Sequence, residues 1–235
     1  MRSSRWHAHG NVYLLVEPGD ERLTAERARE FATGTDGVLE ILAVDGHAAE
    51  VVIWNPDGST AEMSGNGTRI AAKWLAERAG ATEVCVRVGD RAVSARLLED
   101  GEVETDLGAV EVGEPEVVDG VELVSVSVGN PHAVVRGDPA NLPRLGPLLE
   151  THPRFPNRTN VQVARLVAPG VIEARVWERG VGETTASGTS AVAVAAALDQ
   201  NPSTVRFPGG TLRVRFQGDR AFLIGPAERF EPNGL

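Results

Sequence analysis

Along most of the chain, apolar residues alternate with polar ones in short runs. A period of two is the signature of half-buried strands. Such runs cover residues 12–17, 38–44, 49–54, 83–88, 92–98, 103–107, 121–128, 133–136, 161–166, 171–177, 204–207, 212–216 and 221–224. Leu98-Glu99-Asp100-Gly101, Gly209-Gly210 and Asp219-Arg220 fall where turns are expected. Four segments have helical spacing instead: 25–32 behind the cap residue Thr24, 68–78, 143–150 and 189–199. The last of these, 189–199, is apolar on every face, and a helix of that kind has to be buried on every face. In a strand-rich chain this predicts a helix enclosed by a curved sheet. Segment 68–78 is similar, with charges toward its C-terminal end.

Both of these helices are introduced in the same way. One segment runs from Trp54-Asn55-Pro56-Asp57-Gly58 to Ser64-Gly65-Asn66-Gly67, the other from Trp177-Glu178-Arg179-Gly180 to Ser187-Gly188-Thr189. In each, a strand ends in Trp, a polar residue follows, and Ser-Gly opens a helix ten residues after the Trp. The copies lie about half a chain apart, as a duplicated strand-and-helix unit would. His9-Gly10-Asn11 and Gly129-Asn130-Pro131-His132 form a weaker echo of the same kind.

The length, 235 residues, accommodates one large domain or two small ones. With 42% hydrophobic and 24% charged residues, wholesale disorder is excluded. The longest apolar run, Ala191 to Leu198, falls far short of the roughly 20 residues that span a bilayer. The first residues carry positive charge without an apolar stretch behind them, so no secretory signal and no membrane association are expected, and the location expected is cytoplasmic. A net charge of −10 argues against a general nucleic-acid binder, which needs a basic surface. The single cysteine, Cys85, excludes an internal disulfide and a thiolate metal cage, and its strand-like surroundings read as a small buried hydrophobe. His7, His9, His47 and His152 form no metal-binding spacing, and Gly65-Asn66-Gly67 is too short for a dinucleotide or phosphate loop. Neither a metal nor a cofactor is expected.

A Ser-Gly turn at a helix start exposes unpaired backbone N–H groups where the helix dipole favours negative charge, a site suited to a carboxylate or phosphate. Ser64 and Ser187 equally suit the role of simple N-caps. Asn11, Asn55, Asn130 and Asn160 lie at strand ends or turns, either to reach a ligand or to form the turn. His132 and Glu178 are the titratable candidates for proton transfer.

These residues resemble the diaminopimelate epimerase family. The likeness rests on Glu62-Met63-Ser64-Gly65-Asn66-Gly67-Thr68-Arg69, on Glu178-Arg179-Gly180-Val181-Gly182-Glu183-Thr184, and on Ala186-Ser187-Gly188-Thr189. His9-Gly10-Asn11, Asn55-Pro56-Asp57-Gly58-Ser59, Gly129-Asn130-Pro131-His132, Arg158-Thr159-Asn160 and Pro208-Gly209-Gly210 also match, in the family's order and over essentially the whole chain. The resemblance implies an α/β (α+β) fold of two pseudo-symmetric domains, each a β-barrel-like sheet around a central helix. The domains expected are 1–110, with 225–235 returning to it, and 111–224. It implies cofactor-independent epimerisation at an amino-acid α-carbon, the LL and meso forms of diaminopimelate in lysine and peptidoglycan precursor synthesis, and a homodimer. It maps substrate contacts to Asn11, Asn55, Gly65, Asn66, Asn130, Asn160, Glu178, Arg179, Gly188 and Thr189, and it makes His132 and Glu178 neighbours of the catalytic pair.

The departure lies in that pair. Where the family carries two cysteines, this chain has Ser64 and Ser187. A thiol ionises near pH 8.5 and more easily at a helix N-terminus, whereas a serine hydroxyl needs an adjacent base. Thr35-Asp36-Gly37 also departs, where many members carry glutamine after the Asp. Three readings follow: cysteines replaced to trap a complex, a serine-type relative using His132 and Glu178 as bases, or an amino-acid carboxylate binder without turnover. The second predicts slow turnover that rises with pH as His132 loses its proton.

Overall fold

The computed structural model describes residues 2–9, 11–61 and 64–230. The chain divides into two compact units, the first running to Thr105 and taking in the segment from Gly225, the second Asp106–Ile224. Of the returning segment expected over 225–235, residues 231–235 lie outside the described part.

The first unit contains β1 (Ser3–Ala8), β2 (Asn11–Val16), α1 (Ala25–Phe31), β3 (Gly37–Asp45), β4 (Ala48–Trp54), β5 (Thr60–Ala61), α2 (Gly65–Ala79), β6 (Glu83–Val88) and β7 (Arg91–Leu97). β8 (Val103–Ala109) carries the chain across the division. The second unit contains β9 (Glu111–Val118), β10 (Val121–Ser127), β11 (Pro131–Arg136), α3 (Leu142–Glu150), β12 (Asn160–Ala168), β13 (Val171–Glu178), β14 (Gly182–Thr184), α4 (Gly188–Ala197), β15 (Ser203–Phe207), β16 (Gly210–Gln217) and β17 (Arg220–Gly225). The short β18 (Glu228–Arg229) pairs with β1, in the first unit.

The two units repeat one connection scheme. In the first, the antiparallel pairs β1–β2, β3–β4 and β6–β7 are joined by parallel contacts β2–β3 and β4–β6. In the second, β10–β11, β12–β13 and β15–β16 are joined by parallel contacts β11–β12 and β13–β15. A parallel contact needs a crossover, and helices supply it: α1 and α3 make the first crossover of each unit, α2 and α4 the second. The mixed α+β fold of two pseudo-symmetric units predicted above is therefore present.

α4 is enclosed as its composition requires. Ala191, Val192, Ala193, Val194 and Ala195 have no solvent exposure, and only Ala196 is partly open within that stretch. α2 buries Ile70, Ala71 and Leu75 against Trp6, Leu15, Leu39, Ile41 and Ile53, and it ends at Gly80 in the left-handed conformation. Thr24 caps α1 by accepting from the Arg27 N–H, as its position predicted. Two strands lack an alternating signature. β1 is mostly polar, but its pairing with β2 buries Trp6 and Ala8. β9, rich in Glu and interrupted by Pro115, stays largely exposed and is held as a strand by pairing with β10.

Each duplicated Trp is anchored to a buried carboxylate. The Trp54 indole N–H donates to Glu40 at 2.9 Å, and that carboxylate also accepts the Leu23 backbone N–H at 2.7 Å. The Trp177 indole donates to Glu150 at 2.7 Å. A half-buried indole N–H and a buried carboxylate each need a partner, and here each supplies the other's. Gly146 of α3 lies under the Trp177 ring, and a Cβ at that position would come within 2.7–2.9 Å of Cγ, Cδ2 and Cβ of Trp177. Gly146→Ala is expected to push the indole off Glu150 and to cost about 1–3 kcal/mol of stability, read by denaturant unfolding.

Candidate active site

In the first unit the candidate residues gather at the N-terminus of α2. Ser64 is extended (φ −140°, ψ 117°) and its Oγ accepts the Gly67 N–H at 3.0 Å, so it does cap the helix. Gly67 has to lack a side chain, because a Cβ would lie 2.9 Å from Leu39 and 3.2 Å from the Ser64 hydroxyl. That hydroxyl also lies 3.0 Å from the phenol oxygen of Tyr13 on β2, a neighbour that sequence spacing did not reveal. Asn11, at the start of β2, accepts from the Asn66 amide at 2.5 Å, so these two candidates meet. Gly65 opens the helix between Ser64 and Asn66. Asn55 is turned into its own loop, its amide donating to the Ser59 hydroxyl at 2.9 Å, while Asp57 accepts the Ser59 N–H and O–H. Asp36, in the divergent Thr35-Asp36-Gly37 stretch, accepts the Val12 N–H at 2.7 Å and so braces β2. Gly10, Glu62 and Met63, which belong to the matching motifs, lie outside the described residues.

In the second unit the candidates form three connected groups. Glu178 closes β13, and β14 folds back so that Gly182 pairs with Glu178 and Thr184 with Val176. The Thr184 hydroxyl donates to the Glu178 carboxylate at 2.5 Å. Burial pushes the Glu178 carboxyl above the usual carboxylate range, while the hydroxyls of Thr184 and Ser187 oppose that shift by hydrogen bonding to it. Ser187, unlike Ser64, makes no side-chain cap to its helix. Its hydroxyl serves the carboxylate instead. Gly188 and Thr189 follow as the first residues of α4.

The second group centres on His132, which is buried. Its Nδ1 lies 2.9 Å from the Gln162 amide nitrogen, which also donates to Ser190. With the Gln162 amide so oriented, Nδ1 accepts and Nε2 carries the proton, at the cost of leaving Gln162 Oε1 buried without a partner among the described residues. Nε2–H then donates to Asn130 Oδ1 at 2.9 Å, and the Asn130 amide reaches Thr189 Oγ1 at 3.4 Å. Burial pulls the His132 pKa down to about 3. The ring is therefore neutral far below neutrality, and the expectation that turnover rises as His132 loses its proton is corrected accordingly. With its lone pair committed to Gln162, His132 orients Asn130. A cavity of about 500 Å³ opens beside Asn130 and His132, with Ser125, Ser127, Arg154 and Phe155 also in its wall.

The third group holds the turn after Glu178. Asn160 donates to the Pro131 carbonyl at 2.9 Å and accepts the Arg179 N–H at 3.0 Å, so its amide is spent on structure. Glu150 accepts the Gly180 N–H at 2.7 Å as well as the Trp177 indole. The Arg179 side chain is exposed, with one contact to the Asn157 carbonyl at 3.4 Å. Cys85 sits half-buried on β6, in no motif of either site. Among the described residues no group of three or more His, Cys, Asp or Glu is placed to hold a metal, and no helix is long and apolar enough to cross a membrane.

The fold is that of amino-acid racemases and epimerases. The chain superposes on the solved structure of a predicted epimerase from Pseudomonas aeruginosa with a TM-score of 0.75 at 18% identity, covering 98% of this chain and 97% of that one. A probable proline racemase from Agrobacterium radiobacter gives 0.67 at 18% identity, covering 97% and 90%. At the sequence level, the family model for diaminopimelate epimerase matches residues 4–116 and 124–230. The diaminopimelate epimerase of Synechococcus elongatus is 37% identical over 97% of this chain and 95% of its own length. The chain belongs to the diaminopimelate epimerase family, and its class is isomerase.

The neutral, buried His132 makes a prediction about acid stability. In the unfolded chain this group takes up a proton near pH 6.5, and in the folded protein only near 3. Below about 6.5 the unfolded state therefore binds more protons, and stability falls as pH falls. His132→Asn is expected to flatten the fall in melting temperature between pH 6.5 and 3 relative to the parent. Thermal scans across that range check it, with His9, whose pKa burial lowers to about 4, contributing equally to both proteins.

Proposed function

We propose that this chain is a cofactor-independent epimerase acting on diaminopimelate, in which serine hydroxyls stand at the two proton-transfer positions. The observation that carries the reading is the Ser187–Glu178 pair: a half-buried carboxylate held by the Thr184 hydroxyl, with its pKa raised, and the Ser187 hydroxyl beside it at the N-terminus of α4. As the Ser187 oxygen takes the substrate's α-proton, its own proton passes to the Glu178 carboxylate. The electron pair of the broken C–H bond remains on the α-carbon and spreads into the substrate carboxylate, which the helix N–H groups stabilise. Ser64 returns a proton to the other face and draws its replacement from the Tyr13 phenol, 3.0 Å away. Glu178 then ends protonated and Tyr13 ionised, to be reset by solvent. Asn11, Gly65, Asn66, Asn130, Gly188 and Thr189 are assigned to substrate binding, Asn55 and Arg179 to its polar ends, and Asn160 and His132 to positioning.

The two units are taken as the two domains of the enzyme. A homodimer, a cytoplasmic location and a place in lysine and peptidoglycan precursor synthesis belong to the same reading, supported by the family membership. General-base help contributes about 10²–10⁴-fold, less than the 10⁶ or more usual for enzymes, so turnover by the serine form is slow. The absence of a thiol at both positions favours a second reading, an amino-acid carboxylate binder without turnover.

Solvent deuterium exchange at the α-carbon of diaminopimelate, followed by NMR, separates the two. The epimerase reading expects slow exchange that rises with pH as Glu178 ionises, falls about a hundred-fold or more in Glu178→Gln, and accelerates when Ser64→Cys and Ser187→Cys are combined. Tight binding with no exchange in the parent or in the double cysteine variant would establish the binder.

A further inference from the structure

Arg69 is fully buried in the third position of a polar chain that leads to the candidate site. Its Nη2 donates to Asn66 Oδ1 at 2.5 Å, and Asn66 Nδ2 donates to Asn11 Oδ1 at 2.5 Å. Its Nε reaches the Pro226 carbonyl at 3.5 Å, while Nη1 has no partner among the described residues. Among the described residues no carboxylate is hydrogen-bonded to the guanidinium, and the nearby charge of Glu102 partly offsets the cost of burying the cation. It nevertheless remains charged at neutral pH, since burial lowers its pKa only to about 10.

Guanidinium has five donors and no acceptor. The Asn66 atom facing it therefore has to be oxygen, the opposite end of Asn66 has to be the NH₂ group, and the Asn11 atom receiving it has to be oxygen. What remains of Asn11 is its own NH₂ group. An asparagine without such a constraint presents either end to a ligand, and only one end attracts a carboxylate.

We infer that Arg69 is a positioning residue that fixes the polarity of two successive amides, so that Asn11 offers a hydrogen-bond donor, and not an acceptor, to an anionic substrate group. The ligand it serves rests on the proposed function, but the polarity itself does not. Arg69 is thereby given a role in discrimination between a carboxylate and its neutral isostere.

The polarity is tested without ligand by NMR of the side-chain amides. In the parent, the Asn66 NH₂ protons are expected to be protected from solvent exchange and those of Asn11 to exchange freely. The reverse pattern, or equal exchange at both, would overturn the inference whether or not Arg69 variants fold. With ligand, isothermal titration compares diaminopimelate with its diamide for the parent, Arg69→Met and Arg69→Lys, each confirmed as folded by circular dichroism. Arg69→Met is expected to lose about ten-fold or more in affinity for the dicarboxylate and little for the diamide, and Arg69→Lys, still only a donor, is expected to retain the preference. Equal losses for both ligands would mark Arg69 as merely structural and sink the discrimination. The expected exchange pattern in a parent that fails to bind diaminopimelate would leave the polarity standing and refute the functional reading instead.

Discussion

A helix without a polar face has nowhere to go in water, and that constraint shapes each unit of this protein. α4 offers Ala and Val in every direction, so strands β10 to β13, β15 and β16 pack around it, and α2 is enclosed by β1 to β4, β6 and β7 in the same manner. Enclosure spends the sides of the helix on packing and leaves its N-terminal turn as the part open to chemistry. There a helix leaves backbone N–H groups without carbonyl partners of its own, of which Ser64 satisfies the one at Gly67, and the dipole is positive. Ser64 and Ser187 occupy that turn in their respective units because the strand and loop before each helix deliver them there.

Around each turn, several buried polar groups find a partner of the required sign. Glu40 and Glu150 receive the indoles of Trp54 and Trp177, and Glu150 also receives the Gly180 N–H next to the Glu178 loop. His132 accepts from Gln162 and donates to Asn130. Networks of this type are rigid because breaking one link strands a buried group on each side. Their effect is to hold loops and amides in one orientation at the ends of strands, where a ligand's charge would have to be matched.

The repeat is close in its backbone and unequal in its chemistry. Both halves have a strand with Trp at or next to its end, the short returning strand and the central helix. Yet Ser64 caps its helix and meets a phenol, while Ser187 leaves its helix uncapped and meets a carboxylate. Burial raises the Glu178 carboxyl above the usual carboxylate range and so favours its taking up a proton, whereas a phenol has a proton to give. The proposed mechanism gives the two serines different tasks on that ground.

The sequence by itself determined the central helices, most strands, the duplication and the family. Those features are carried by periodicity, apolar run length and local motifs, which need no knowledge of distant neighbours. It also pointed to Ser64 and Ser187 as the residues before the two central helices, which is where they stand. The strands β1 and β9 were not legible, because pairing with β2 and β10 overrides their polar composition. Nor were Tyr13, Gln162, Glu150 and the linkage of Arg69 through Asn66 to Asn11, although the Arg69 charge beside the apolar run Ile70-Ala71-Ala72 was a visible signal. His132 was read as a base from its residue type, and only its burial against Gln162 showed a neutral ring with its lone pair taken. Burial and hydrogen-bond direction depend on groups far apart in the chain, so the tertiary structure alone decided which polar residues are free to react and which are spent on holding the others.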